Sequence, residues 1–275
     1  MDRGTDLAWV VRGREISLSR PVLMGIVNAT PDSFSDGGQA LDPDDAAEKA
    51  RRLVADGAGI IDIGAESTRP GAGQVPEDEE ARRLFPVLAA VRRAVGVPIS
   101  IDTRRSGIAA RAIGLGADIV NDVSALGDPG MARVVAGSGA GLVLMHGYRE
   151  HLAFPSGNPA AGCGIGDVVA FLRERVAVAC GAGVRRSAIA VDPGFGFGKS
   201  NAESEAILRG LARLKTLGLP IVAALSRKRF LAGIPEASAA KDRDEATRVA
   251  LGIAVAGGAS ILRVHVAAGC APLQP

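Results

Sequence analysis

Aromatic residues are scarce in this 275-residue chain: one Trp, one Tyr and seven Phe, 3% in all. A protein that grips nucleic acid needs rings for base stacking and a basic stripe for phosphates. The net charge here is only +2, and the Lys and Arg residues are scattered, so no nucleic acid partner is expected. Cysteine is rarer still. Cys163, Cys180 and Cys270 form no Cys-x-x-Cys pair, and such an odd, sparse set suits a reducing cytosol better than a disulfide framework. His146, His151 and His265 make no His-Glu-x-x-His pattern, which argues against a zinc site. The N-terminus is charged and lacks the apolar stretch of a signal peptide. The longest quiet run, 249–262, is shorter than the ~20 residues that span a bilayer. A cytoplasmic protein with no membrane partner is expected.

Glycine, by contrast, is abundant. Its 36 residues exceed the usual share of ~7% and imply many tight turns or close backbone approaches. The length suits one large domain, and an apolar fraction of 47% with 23% charged residues is ordinary for a globular protein. The stretch from Leu23 to Gly38 shows the local pattern. Leu23, Ile26 and Val27 form an apolar run that turns polar at Asn28, and the following residues to Gly38 carry the Pro and Gly punctuation of a loop. Taken alone, that loop reads as a ligand site or as a solvated connector.

The same alternation recurs along the chain. A short hairpin is predicted first, Ala8–Val11 and Glu15–Leu18 around Gly13. Asp42 and Pro43 then form a helix start, with Asp as cap and Pro at the first helical position. Apolar strands are predicted at 60–64, 99–102, 118–122, 142–146, 189–192, 221–225 and 261–264. Between them, helices are predicted from Pro76, over 106–115, 131–135, 167–180, 202–217 and 244–256. The segment 146–166 reads as a long loop, either a lid or an insertion. Eight strands interleave with seven helices, and the strands are continuous apolar runs of the kind buried on both faces. The expected fold is α/β, a (β/α)8 TIM barrel with the last helix apparently missing; an open doubly wound sheet is the runner-up. The domain reading is a hairpin extension at 1–21, the barrel at 22–265 and an irregular tail at 266–275.

Nearly every predicted strand ends in a residue able to bind something: Asn28, Asp102, Asn121, His146, Asp192, Lys228 and His265, with Thr68 and Arg69 just past the second. In a barrel these ends converge on one face, where sites of this fold lie. Helix capping accounts for one or two such positions but not for eight, least of all for Lys228 and Arg263 inside apolar stretches. Residues 192–200 end like a nucleotide-binding P-loop, yet Pro193 stands where that motif needs its first Gly. Lys199 therefore reads as a solvated or helix-start residue.

The strings NATPDSFSDGG (28–38), ESTRPGA (66–72), IDT (101–103), NDVS (121–124), LMH (144–146), DPGFGFGK (192–199), SRK (226–228) and RVH (263–265) occur in order. Together they resemble the dihydropteroate synthase family. The resemblance implies a pterin-binding barrel that joins 6-hydroxymethyl-7,8-dihydropterin diphosphate to 4-aminobenzoate, releasing diphosphate. It places Asp192 and Asn121 on the amino-pyrimidine edge of the pterin, Asp102 on another ring nitrogen and Lys228 on the oxo side. Met145 and Phe197 read either as walls for the ring or as core. Thr68, Arg69, Arg263, Val264 and His265 are implied for substrate, with Arg263 and His265 joining Asp102 and Lys228 as the catalytic set. Phe34 and Pro70 are implied in loops over the aminobenzoate, with Arg229 near its carboxylate, and Asn28 is implied as ligand to Mg²⁺. Homodimers are implied too, weakened by the missing helix. The sequence departs from the family pattern at Val266, at Arg229, in the loop after LMH and at the C-terminal end. A degenerate pterin-binding relative without turnover and a pterin-dependent methyltransferase barrel stand as the other readings.

Overall fold

The computed structural model describes residues 8–29, 42–66, 75–147, 162–237 and 239–270. Eight parallel strands form the barrel: β3 (Val22–Asn28), β4 (Ala58–Gly64), β5 (Ile99–Asp102), β6 (Ile119–Asp122), β7 (Gly141–Met145), β8 (Ile189–Asp192), β9 (Val222–Ala223) and β10 (Ile261–Val264). From β4 to β8 each pairs with its predecessor, β9 pairs with β10, and β10 returns to pair with β3, Ile261 opposite Val22 and Val264 opposite Gly25. The joint between β8 and β9 is closed by a single bridge, Val191 to Ile221.

Around the strands lie α1 (Pro43–Ala55), α2 (Glu77–Ala94), α3 (Ser106–Gly114), α4 (Met131–Ser138), α5 (Ile165–Gly181), α6 (Asn201–Arg209) and α7 (Arg243–Ala256). α1 starts as its sequence dictates: the Asp42 carboxylate accepts from the Asp44 N–H at 2.8 Å, with Pro43 behind it. It then buries Ala46, Ala47, Ala50 and Leu53 on one face. Two expectations are corrected. The helix expected over 202–217 stops at Arg209, and after Gly210 the chain tightens into a 3₁₀ segment, Leu211–Leu217. Its buried residues, Leu211, Leu214 and Leu217, recur every three positions, which matches the three-residue turn. The strand expected over 221–225 is only β9, two residues long. Pro193 follows β8 directly and has no N–H to lengthen the ladder on that side.

Among the described residues no helix follows β10. Ala267 and Cys270 turn back into the core between barrel and helices instead. No helix among the described residues is long and apolar enough to cross a membrane.

The two apolar layers have different jobs. The outer one joins strands to helices. The inner one fills the N-terminal end of the barrel, where Met24, Ile60, Ile119, Val143 and Ile261 meet Trp9 and Val11 of an antiparallel hairpin. That hairpin is β1 (Ala8–Val11) with β2 (Arg14–Ser17), Ala8 opposite Ser17. It plugs the barrel floor: Trp9 is fully buried and its indole N–H donates to the Ala188 carbonyl at 2.8 Å. Gly141 makes the room, since a Cβ there would lie 2.5 Å from Val11 Cγ1. Trp9→Ala leaves a cavity at the floor and is expected to cost ~3–5 kcal/mol, as for other buried large-to-small changes. Urea unfolding checks this; a loss below about 1 kcal/mol would mean that the hairpin does not fill the floor.

Candidate active site

Side chains alternate along each strand, so residues two apart share the barrel interior. At the C-terminal end this brings Asp102 of β5, Asn121 of β6, Met145 of β7, Asp192 of β8 and Arg263 of β10 to one mouth. Neighbouring pairs are in register, Asp102 with Asn121 and Met145 with Asp192. One residue of this set was not anticipated from the sequence. Asp62, within the run Ile60-Ile61-Asp62-Ile63, is fully buried, and its Oδ2 accepts from Arg263 Nε at 2.7 Å. The signal was a carboxylate inside a strand buried on both faces, which requires a partner.

Arg263 ties the centre together, with Nη2 2.6 Å from Asp62 Oδ2 and 3.0 Å from Asp102 Oδ2. Burial pushes the Asp102 carboxyl up to about 7; Arg263 pulls it down, while the Asp62, Glu80 and Asp122 carboxylates push it further up. Asp192 is also raised by burial, opposed by the Gly194 N–H at 2.6 Å and by the charges of Lys228 and Arg263. The Lys228 ammonium lies 4.2 Å from the centre of the Phe197 ring, a cation–π contact at the pocket edge. Met145 and Phe197 flank Gly147, where a Cβ would sit 2.9 Å from Met145 Cε and 3.1 Å from Phe197 Cβ. His265 Nδ1 is 2.9 Å from the Ser226 hydroxyl, which also accepts from the His265 backbone N–H. Asn28 and Asn121 make no side-chain hydrogen bond to any other described residue, and Asn28 is partly exposed at the end of β3.

Other anticipated residues fall elsewhere. Val264 packs its side chain in the outer core, because it is one residue on from inward-facing Arg263. The His146 ring packs edge-on against Phe171 of α5 at 4.9 Å, and burial drops its pKa to about 3. Lys199 is not solvated: its ammonium donates to the carbonyls of His146, Gly194 and Phe197 at 3.0, 2.9 and 3.3 Å, knitting the β7 and β8 loops together. Gly194 lies between them at φ +66°, where a Cβ would meet the His146 carbonyl oxygen at 1.8 Å. These contacts account for the DPGFGFGK string without a nucleotide. Asp122 caps its own turn, accepting from the backbone and hydroxyl of Ser124 and from the Leu126 N–H. Arg229 is exposed at the start of a 3₁₀ turn, Arg229–Gly233. Phe34, Thr68, Arg69 and Pro70 lie outside the described residues. The stems of the second loop are described: Arg105 donates to Glu66, to buried Glu80 and to the Val75 carbonyl.

A barrel mouth ringed by amide, carboxylates and ammonium around a half-buried guanidinium offers acceptors and donors to a polar ring and positive charge to an anion. The chain belongs to the pterin-binding enzyme family, whose model matches residues 24–265. Its relatives are dihydropteroate synthases. That of Bacillus subtilis (strain 168) is 39% identical over 264 residues, covering 94% of this chain and 90% of the relative. A probable bifunctional folylpolyglutamate synthase/dihydropteroate synthase of Haloferax volcanii is 43% identical over 243 residues; the match takes 88% of this chain but spans only 28% of that longer protein. The structure of Xanthomonas albilineans dihydropteroate synthase with 4-aminobenzoic acid superposes with a TM-score of 0.86 at 39% identity, over 98% of this chain and 96% of that one.

Proposed function

We propose that this chain is a dihydropteroate synthase, a transferase that condenses 6-hydroxymethyl-7,8-dihydropterin diphosphate with 4-aminobenzoate to give 7,8-dihydropteroate and diphosphate. The observation that carries the reading is the convergence of buried Asp102, Asn121 and Asp192 at the C-terminal ends of their strands, with Arg263 bonded to Asp102. A pterin edge alternates donors and acceptors, and a buried polar ring of this kind binds such an edge while leaving unpaired groups against lookalikes. Asp192 and Asn121 take the amino-pyrimidine edge, Asp102 a ring nitrogen and Lys228 the oxo oxygen. Met145 and Phe197 flank the ring.

The reaction breaks the bond between the pterin methylene and the diphosphate oxygen, and the leaving group keeps the electron pair. The aminobenzoate nitrogen then attacks the methylene and loses a proton to solvent. No protein nucleophile is needed. Arg263 and His265, with Thr68 and Arg69, stabilise the charge gathering on the diphosphate, the contribution that preorganised cations and donors make best. Arg229 is the cation proposed for the aminobenzoate carboxylate, and Phe34 and Pro70 are proposed to cover that subsite. Mg²⁺ is proposed at Asn28. Its partly exposed amide, with no hydrogen bond to another described residue, suits an ion held largely by phosphate oxygens and water. The ion would neutralise diphosphate charge. Cytoplasmic residence and a homodimer are proposed as well; the free thiols Cys163, Cys180 and Cys270 agree with the former.

Diphosphate release, assayed with and without 4-aminobenzoate, tests the function: release that depends on the amine supports it, and none in a single turnover would favour a binding protein without catalysis. Asp192→Asn serves as the internal probe. It keeps the volume but offers a donor where the pterin offers donors, an unpaired buried contact of ~1–3 kcal/mol. Pterin diphosphate affinity by calorimetry should fall at least about tenfold, since ~1.4 kcal/mol is a factor of ten. Unchanged affinity would place the pterin elsewhere.

A further inference from the structure

Asp62 has no part in the chemistry above, yet it occupies the most protected position near the site. It is 0% exposed, on β4, one inward-facing step below Gly64 at the mouth. A fully buried carboxylate is costly unless partnered. Neutralising Arg263 does not by itself account for it, because Asp102 already lies 3.0 Å from the same guanidinium. Asp62 is a second carboxylate on one cation, and both Oδ2 atoms converge on Nη2. Its geometry differs from that of Asp102. Asp62 Oδ2 takes Nε and Nη2 together, at 2.7 and 2.6 Å, so it grips the side of the guanidinium, while Asp102 touches one nitrogen. The other Asp62 oxygen, Oδ1, is buried without a partner, as is the hydroxyl of Ser100, which stands opposite Asp62 in the β4–β5 register.

We propose that Asp62 is a positioning residue that competes with Asp102 for Arg263: by clamping the side of the guanidinium it keeps Arg263 from closing a two-bond fork on Asp102, and so leaves Asp102 available to the pterin ring. Arginine and carboxylate favour the paired, two-bond arrangement, and only a stronger competing grip prevents it. With Asp62 neutral, Arg263 swings fully onto Asp102 and the pocket loses one acceptor without losing any residue proposed to touch substrate. The proposal rests on the pterin reading above.

The test is a double-mutant cycle on pterin diphosphate binding, with Asp62→Asn, Arg263→Gln and the two combined. Asp62→Asn should weaken pterin diphosphate binding at least about tenfold and leave the KM for 4-aminobenzoate within about twofold, a split that general loosening of the barrel would not produce. In the Arg263→Gln background, adding Asp62→Asn should bring no further loss of affinity beyond about twofold, because the clamp acts through Arg263 and removing the Asp62 charge only eases ionisation of Asp102. The combined variant leaves one buried carboxylate, Asp102, without its cation where Arg263→Gln alone leaves two, so it carries less unpaired buried charge than the background it is compared with and remains informative even where Asp62→Asn alone folds poorly. A further loss of about tenfold or more in that background would overturn the proposal. A ligand-free readout runs beside it: the Arg263 Nε–H, held by Asp62 at 2.7 Å, should give a protected ¹⁵N–¹H signal that disappears in Asp62→Asn; its persistence would also overturn the clamp. Wild-type protein that binds no pterin diphosphate would sink the functional reading itself, whatever the Arg263 signal does.

Discussion

Arg263→Gln is expected to lower kcat/KM for pterin diphosphate by ~10²–10³-fold, the usual loss when one preorganised donor to a developing anion is removed, and to make stability steeply pH-dependent. The substitution leaves two buried carboxylates, Asp62 and Asp102, facing each other without their cation. Breaking a buried pair in this way costs ~3–5 kcal/mol when the remaining charge stays ionised. The cost is avoidable by protonation, which sets the sign. Arg263 pulls the Asp102 pKa down, so without it the folded-state value rises above about 7. A carboxyl raised in the folded state stabilises the fold while it is protonated. That contribution is lost as pH rises from the unfolded value, ~3.9, through the folded one. Thermal melts at pH 5.5 and 8 should therefore show a small deficit at the lower pH and a large one at the higher. Equal deficits at both would mean that the two carboxylates do not feel the missing charge.

The wild-type site should carry opposite pH dependences for folding and for binding. Burial holds Asp102 near about 7, with Arg263 of β10, Asp62 of β4, Glu80 of α2 and Asp122 of β6 as its charged neighbours. Asp122, pushed by burial to about 6, acts on stability in the same direction. Both are raised, so the ligand-free fold loses stability as pH climbs from about 4 to about 7 and levels off above. The exposed pair Glu236–Arg209 works in the other sense, but Glu236 is depressed to about 2, so its contribution is lost only at pH below the unfolded value of ~4.3. The proposed contact with a pterin N–H needs Asp102 as an ionised acceptor, so affinity should rise about tenfold per pH unit up to about 7 and then flatten. Calorimetry from pH 5.5 to 8.5 measures this. Asp102→Asn should bind weakly with a flat profile; a slope that survives in that variant would assign the titration to another group.

The strand-end ring was legible because nearly every strand ends in a polar residue or runs into one just beyond, and the fold brings those ends together regardless of loop detail. What the sequence did not show was side-chain parity. His146 and Val264 each directly follow an inward-facing residue, Met145 and Arg263, and therefore point to the helix layer. Asp62 was hidden by the reverse effect: it sits two residues before Gly64 on the same face, but its apolar neighbours made the run look uniform. Lys199 could not be placed from its own segment, because the His146 carbonyl that it holds lies 53 residues away. The broken helix at Gly210 was legible in principle, since Leu211, Leu214 and Leu217 have a period of three rather than 3.6.

The short β9 gives the barrel one thin joint. Every other neighbouring pair is a ladder, whereas β8 and β9 share one bridge, and the chain leaves β9 directly toward Ser226 and Lys228. Asp192 closes one side of that joint and Lys228 stands just beyond the other. In the proposed pose a flat ring that touches both would span this thin joint with its own hydrogen bonds. Recognition and cohesion would then be one event at this place, because the ligand would brace the wall where only the Val191–Ile221 bridge now holds it.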